Sequence, residues 1–258
     1  MNALEQYYSS FDEENRLLSQ HGQVEFLTTM RYIHRYLQPG MRILEVGAGT
    51  GRYSLALAHK GYRVDAIELV EKNLNILKSS ILPTDQITAR QGNALNLSIY
   101  GDAQFDMTLL LGPMYHLCQT AEKVTALKEA IRVTKKGGLI FVAYCMNEPT
   151  VIRYCFQKGQ IHQCLANNML TKDYHCISEE KDVFELVRTE DIEHLNNQLP
   201  VERLCFIASD GATNYMRDTI DSMDDHTFQL YLDYHFSVCE RQDLIGASDH
   251  SLDILRKV

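Results

Sequence analysis

No run of apolar residues in this 258-residue chain approaches the roughly 20 needed to cross a bilayer. Met1 leads into a polar, acidic segment where a secretory leader would be apolar, so a cytoplasmic protein is expected. Positive charge is scarce as well: 25 Lys and Arg stand against 34 Asp and Glu, for a net charge of -9. That balance argues against a general nucleic-acid binder, which needs a cationic face to release phosphate counterions. The cysteines (Cys118, Cys145, Cys155, Cys164, Cys176, Cys205 and Cys239) include no C-x-x-C pair and no Cys/His zinc spacing. They suit reduced thiols, and no metal is expected. Repeats and low-complexity linkers are also missing. What remains, 45% apolar and 23% charged residues, is the composition of an ordinary globular chain long enough for a full core.

The pattern along the chain divides it without breaking it into separate domains. Residues 1–38 read as N-terminal helices, because Leu17, Val24, Leu27, Met30, Ile33 and Leu37 recur at three- and four-residue steps before the turn Gln38-Pro39-Gly40. From 39 to 146, strands at 42–46, 63–67, 87–90, 105–111 and 139–144 alternate with helices near 52–60, 72–80 and 120–133, the last closed by Gly137-Gly138. That alternation predicts a mostly parallel sheet with helices on both faces. Residues 147–182 show no strand and read as a helical cover inserted after the fifth strand. The remainder, 183–258, supplies strands at 183–187 and 202–207, a helix at 189–197, and an aromatic tail at 226–240 whose spacing fits both strand and helix, with helix preferred. GASDHSLDILRK is expected to be a terminal helix capped by Ser248 or Asp249.

The first strand runs into ILEVGAGTGRYS, with Glu45 followed by Gly47, Gly49 and Gly51. A tight strand-to-helix turn of this kind lets a ligand approach the backbone closely. The dinucleotide fingerprint G-x-G-x-x-G does not fit, since Arg52 stands where its third glycine belongs, and the phosphate loop G-x-x-x-x-G-K-[ST] is absent. The pattern E-x-G-x-G-x-G instead resembles motif I of the class I S-adenosylmethionine-dependent methyltransferases, and the resemblance extends over residues 40–145. It implies a Rossmann-like, doubly wound sheet of seven strands, S-adenosylmethionine as cofactor and S-adenosylhomocysteine as product. Gly47, Ala48, Gly49 and Gly51 would line the methionine part, and Glu45 would order the loop. Glu68, ending the second strand in VDAIELV, would hold the ribose hydroxyls, with Leu69 against adenine. Asn93 and Ala94, in QGNAL after the third strand, would face the adenine amino group, where the family more often has aspartate. Leu111 would offer its carbonyl to the α-amino group.

The fourth strand ends in LLLGPMYHL beside the first, so Gly112 and Pro113 make a close turn at the reactive sulfonium and present Tyr115 and His116. His116 is read either as a general base or acceptor-orienting group, or as a structural histidine capping the helix near Thr120; Tyr115 is read as an acceptor contact. Tyr7, Tyr8, Arg16, Arg31 and Tyr53 are candidates to close over the cofactor or bind its carboxylate, with packing of the first helix as the alternative for Tyr7 and Tyr8. His250 has no partner readable from sequence. Gly-Pro-Met-Tyr lacks the Asp/Asn-Pro-Pro-aromatic pattern of base and glutamine methylation, and no Pro-Cys pair is present. The leading expectation is a small-molecule methyltransferase acting on oxygen, nitrogen or sulfur. RNA or protein methylation, or non-catalytic cofactor binding, are the alternatives. A homodimer through 147–182 or the aromatic tail is compatible with the sequence.

Overall fold

The computed structural model describes residues 4, 7, 8, 19–179 and 182–258; Arg16 falls outside them. Short apolar runs between turn residues become β1 (Arg42–Val46), β2 (Arg63–Glu68), β3 (Ile87–Gln91), β4 (Phe105–Leu110), β5 (Thr134–Met146), β6 (Leu186–Val187), β7 (Val201–Ala208) and β8 (His250–Lys257). They form one sheet in the order β3-β2-β1-β4-β5-β8-β7, with the two-residue β6 pairing to the end of β5. Strands β1 to β5 are parallel, and β8 runs antiparallel to both β5 and β7. The expected mostly parallel sheet is present, with β6 as an added short strand.

The principal helices are α1 (Gln20–Tyr36), α2 (Arg52–Ala58), α3 (Glu71–Ser79), α4 (Thr120–Val133), α5 (Thr189–Asn196) and α6 (Asp225–Val238). Successive residues of a strand point to opposite faces. Thus Leu44, Leu110 and Val142 pack with Leu127 of α4 and Leu195 of α5. On the other face Ile43, Leu109 and Phe141 pack with Ile33 of α1 and Leu57 of α2. Burial on both faces is why these strands read as continuous apolar runs. The strand order reverses between β1 and β4, and this opens a crevice at the carboxyl ends of the strands. Among the described residues no helix is long and apolar enough to cross a membrane.

The ambiguous tail is helical. Asp224 caps α6 by accepting from the Thr227 N–H at 2.8 Å, and Phe228 and Leu232, one turn apart, are buried with Val24 and Ile220. Leu230 and Tyr234, which gave the alternating pattern, are exposed. Residues 183–185 are not strand, and Gly137 and Gly138 lie within β5. The cover at 147–182 folds around a small core of Val151, Cys155, Cys164 and Leu170.

One expectation is overturned: residues 250–257 form β8 and no terminal helix. Ser251 to Leu255 are buried on both faces, which erases the alternation of a half-exposed strand. Asp253, polar in mid-strand, is accommodated because Arg203 of β7 donates to its carboxylate at 2.8 and 2.9 Å and Asn196 of α5 at 2.6 Å. Removing one partner of such a pair leaves a buried charge behind. Arg203→Met should therefore lower the unfolding free energy by about 3 kcal/mol, read from the urea midpoint. An unchanged midpoint would mean that this pair does not hold β7 against β8.

Candidate functional site

The carboxyl ends of β1, β2 and β4 meet at a cavity of about 630 Å³. The loop after β1 owes its shape to its glycines. Gly47 and Gly51 have φ of +76° and +91°, and a Cβ on Gly47 would stand 2.6 Å from Pro113 Cδ, on Gly51 2.2 Å from Leu77 Cδ1. No side chain fits at Gly47, so the β1 loop can lie against the β4 loop, and the bare Gly51 lets the start of α2 lie against Leu77 of α3. The N–H groups of Gly47 and Ala48 both donate to the Ile67 carbonyl, at 2.8 and 2.9 Å. Glu68 then accepts from the Gly49 N–H through Oε2 and from the Val70 N–H through Oε1, both at 2.8 Å. Glu45, buried at the end of β1, accepts from the Ser54 hydroxyl of α2. Burial raises its carboxyl pKa to about 8, against the lowering effect of the Ser54 bond.

Of the residues expected to hold a cofactor, Glu45, Gly47, Ala48, Gly49, Glu68, Leu69, Asn93, Ala94, Leu111 and Gly112 all line this cavity. Gly51 does not; it starts α2. Asn93 differs from expectation in one respect: its Oδ1 accepts from the Leu95 N–H at 2.9 Å, closing a turn. A cradle with no room for side chains and an acid fixed beside it fits a nucleoside bearing an amino-acid tail.

Beyond β4, Pro113–Tyr115 form a single tight turn in which the Tyr115 N–H donates to the Gly112 carbonyl at 3.0 Å. Tyr115 is buried and lines the cavity. His116 Nδ1 lies 2.7 Å from the Val183 carbonyl oxygen and Nε2 lies 3.1 Å from the Tyr8 hydroxyl. A carbonyl can only accept, so Nδ1 carries the proton and Nε2 accepts from Tyr8. Burial lowers the pKa of His116, which favours this neutral form. The ring is not a cap for α4, since neither nitrogen bonds to that helix. Tyr7 meets Tyr8 and Phe184 edge-on, at 5.2 and 5.4 Å between ring centres. Tyr53 lines the cavity against Phe26, whereas Arg31 does not reach it: that side chain is exposed and stacks on Phe236 at 4.8 Å. Of the cover at 147–182, Asp182 lines the cavity, while its aromatic residues Tyr154, Phe156 and Tyr174 are exposed elsewhere.

The opposite wall was not legible in the sequence. Glu25 of α1, Asp210 after β7 and His250 at the start of β8 line the same cavity, with Asn214 and Arg217 beside them. His250 Nδ1 lies 2.7 Å from Asp210 Oδ2 and 3.6 Å from Glu25 Oε2. Burial alone would lower the pKa of His250, but the carboxylates of Glu25 and Asp210 outweigh it and raise it well above the usual value. Ser248, expected as a helix cap, instead donates to Asp210 Oδ1 at 2.6 Å. The only local hint, a histidine after two polar residues in GASDHS, was hidden by the helical reading of that segment.

The raised pKa of Glu45 has a consequence for stability. A carboxyl that titrates at 4.5 when exposed and near 8 when folded favours the fold while protonated, and that stability is lost as pH rises through 8. Glu45→Gln, permanently neutral, should melt at a higher temperature than the wild type above pH 8, with the difference vanishing towards pH 4.5. A difference independent of pH would show that Glu45 is ionised in the fold.

Comparison with known proteins agrees with this geometry. Residues 43–138 match the family described as "Methyltransferase domain". The ubiquinone biosynthesis O-methyltransferase of Dechloromonas aromatica (strain RCB) is 27% identical over 189 residues, which cover 70% of this chain and 78% of that protein. The cypemycin N-terminal methyltransferase of a Streptomyces species is 34% identical over 110 residues, covering 42% of this chain and 43% of that protein. This chain therefore spans less than half the length of the second relative. Among solved structures, a SAM-dependent methyltransferase of Thermotoga maritima, described as a possible histamine N-methyltransferase, has the same fold: TM-score 0.59 at 18% identity, over 99% of both chains. The glycine loop, the strand order and the sequence match over residues 43–138 together give this part of the chain the methyltransferase domain, in the fold that S-adenosylmethionine-dependent methyltransferases share.

Proposed function

We propose that the acceptor is a small molecule methylated at oxygen, nitrogen or sulfur, and that the reaction takes place in the cytoplasm. The observation that carries this reading is the single cavity of about 630 Å³ joining the glycine loop to Tyr115 and to a buried polar wall. That volume lies within the usual range for small-ligand sites. Gly47, Ala48 and Gly49 would hold the methionine part of the cofactor and Glu68 the ribose, with Leu69, Asn93 and Ala94 around adenine and the Leu111 carbonyl at the α-amino group. The bound cofactor supplies a methyl group on a sulfonium, with a neutral thioether as leaving group. The protein's task is then chiefly alignment, worth several kcal/mol of barrier.

Tyr115 serves as an acceptor contact. Both ring nitrogens of His116 are engaged, which supports the orienting role over that of a free base: it holds Tyr8, which lines the cavity. The names of the relatives differ, one pointing to ubiquinone biosynthesis and the other to the N-terminus of cypemycin. The acceptor is therefore read from the cavity. Incubation with methyl-labelled S-adenosylmethionine and a fractionated bacterial extract should put label in the small-molecule fraction; label confined to protein or RNA would contradict the proposal. Tyr8→Phe, which removes the bond to His116, should weaken S-adenosylhomocysteine binding about fivefold by calorimetry. An unchanged affinity would remove this latch from the account.

A further inference from the structure

We infer that His250, fixed by Asp210 and Glu25, binds the acceptor through an acidic hydroxyl, of a phenol or enol, and keeps its proton so that the oxygen is held as an oxyanion. The inference rests on the methyltransferase reading and assigns the acceptor end of the same cavity.

Three elements distant in sequence converge here: Glu25 comes from α1, Asp210 from the turn after β7 and His250 from the start of β8. Asp210 is immobilised. Its Oδ1 accepts from the His250 N–H at 3.0 Å and from the Ser248 hydroxyl at 2.6 Å, and its Oδ2 accepts from Asn214 Nδ2 at 2.7 Å. A carboxylate so held fixes the imidazole it binds, in position and in tautomer: Nδ1–H is committed to Asp210. Nε2 makes no hydrogen bond among the described residues, and the ring lines the cavity with 18% of its side chain exposed. His116 is the contrast, with both nitrogens taken.

The groups around His250 decide what Nε2 offers. Glu25, Asp210 and Cys145 of β5 act on it directly, and all three favour the cation. Asp249 precedes it and is paired with Arg153, with Arg217 3.8 Å away. Tyr115 stands 5.6 Å off between ring centres, and His235, buried and with its pKa lowered by that burial, lies behind Asp210 at Gly211. The ring is therefore an imidazolium whose Nε2–H is directed by Asp210 towards the cavity. Such a donor complements an oxyanion, whereas it repels an ammonium and, already carrying its proton, cannot deprotonate an amine. A phenolate entering a protonated site and a phenol entering a neutral one arrive at the same imidazolium–oxyanion pair. Tyr53, Tyr115 and Phe184 along the cavity suit a planar ring. In transfer the acceptor oxygen donates an electron pair to form the O–C bond while the C–S bond breaks and its electrons remain on sulfur. The hydroxyl's proton goes to water as the imidazolium–oxyanion pair forms, and Nε2 keeps its own proton throughout, so none remains to be released when the neutral ether departs.

The test uses 4-nitrophenol, whose phenolate is coloured and whose phenol is not, added to the full-length protein saturated with S-adenosylhomocysteine. At a pH where the free compound is mostly colourless, the wild type should bind it and develop the phenolate absorbance. His250→Gln should lose the colour and bind about tenfold or more weakly, with unchanged affinity for S-adenosylhomocysteine. Glu25→Gln should give a weaker colour, and it carries the test if His250→Gln does not fold. Colourless binding, no binding to the loaded wild type, or equal colour in the variants would overturn the inference. Failure of the wild type to bind S-adenosylhomocysteine would instead count against the underlying reading.

Discussion

The carboxylate of Glu68 closes two chain reversals at once, accepting from the Gly49 N–H beyond β1 and from the Val70 N–H beyond β2. Charge-assisted bonds of this kind are short and strong, and here both donors are backbone groups that a sharp turn would otherwise leave without partners. With Glu68 in place the glycine loop can approach Pro113, and the ends of β1, β2 and β4 become one surface. The cavity, the orientation of Tyr115 and the position of His116 all follow from that close approach. Glu45, one strand residue before the loop, supports it through Ser54 in a form that is largely neutral at physiological pH.

Against this backbone-built cradle stands a wall built from side chains. The two histidines of the cavity differ in what surrounds them. His116 sits among aromatic rings and a carbonyl, so burial keeps it neutral and it serves as a link between the β4 loop and Tyr8. His250 sits among carboxylates and is held cationic. One residue type thus has two charge states within a single cavity, set by its neighbours alone.

How much of this was readable in the sequence depends on sequence separation. Strands β1, β4 and β5 announce themselves as apolar runs because they are buried on both faces, and the glycine loop is contiguous, so its ligand class could be read directly. β8 is buried on both faces too, but Asp253 interrupts its apolar run, and nothing local reveals that Arg203 neutralises it. Arg31 fell on the wrong side of α1: a helix turns by about 100° per residue, and a small error in phase moves a side chain from cavity to solvent. The cluster of Glu25, Asp210 and His250 joins residues far apart in the chain, and no spacing rule connects them. Asn93 lines the cavity, yet its oxygen is already used by the turn that holds it there.

The central claim is that the strand-end cradle takes S-adenosylmethionine and its product, and that Glu68 is what holds it in shape. Calorimetry of S-adenosylhomocysteine against the wild type and Glu68→Ala, with NADH as the comparison ligand, tests it directly. The account predicts one S-adenosylhomocysteine per wild-type chain, an affinity about 10- to 100-fold lower in the variant, and no uptake of NADH. Binding of NADH in place of S-adenosylhomocysteine, or equal affinity in wild type and variant, would contradict it.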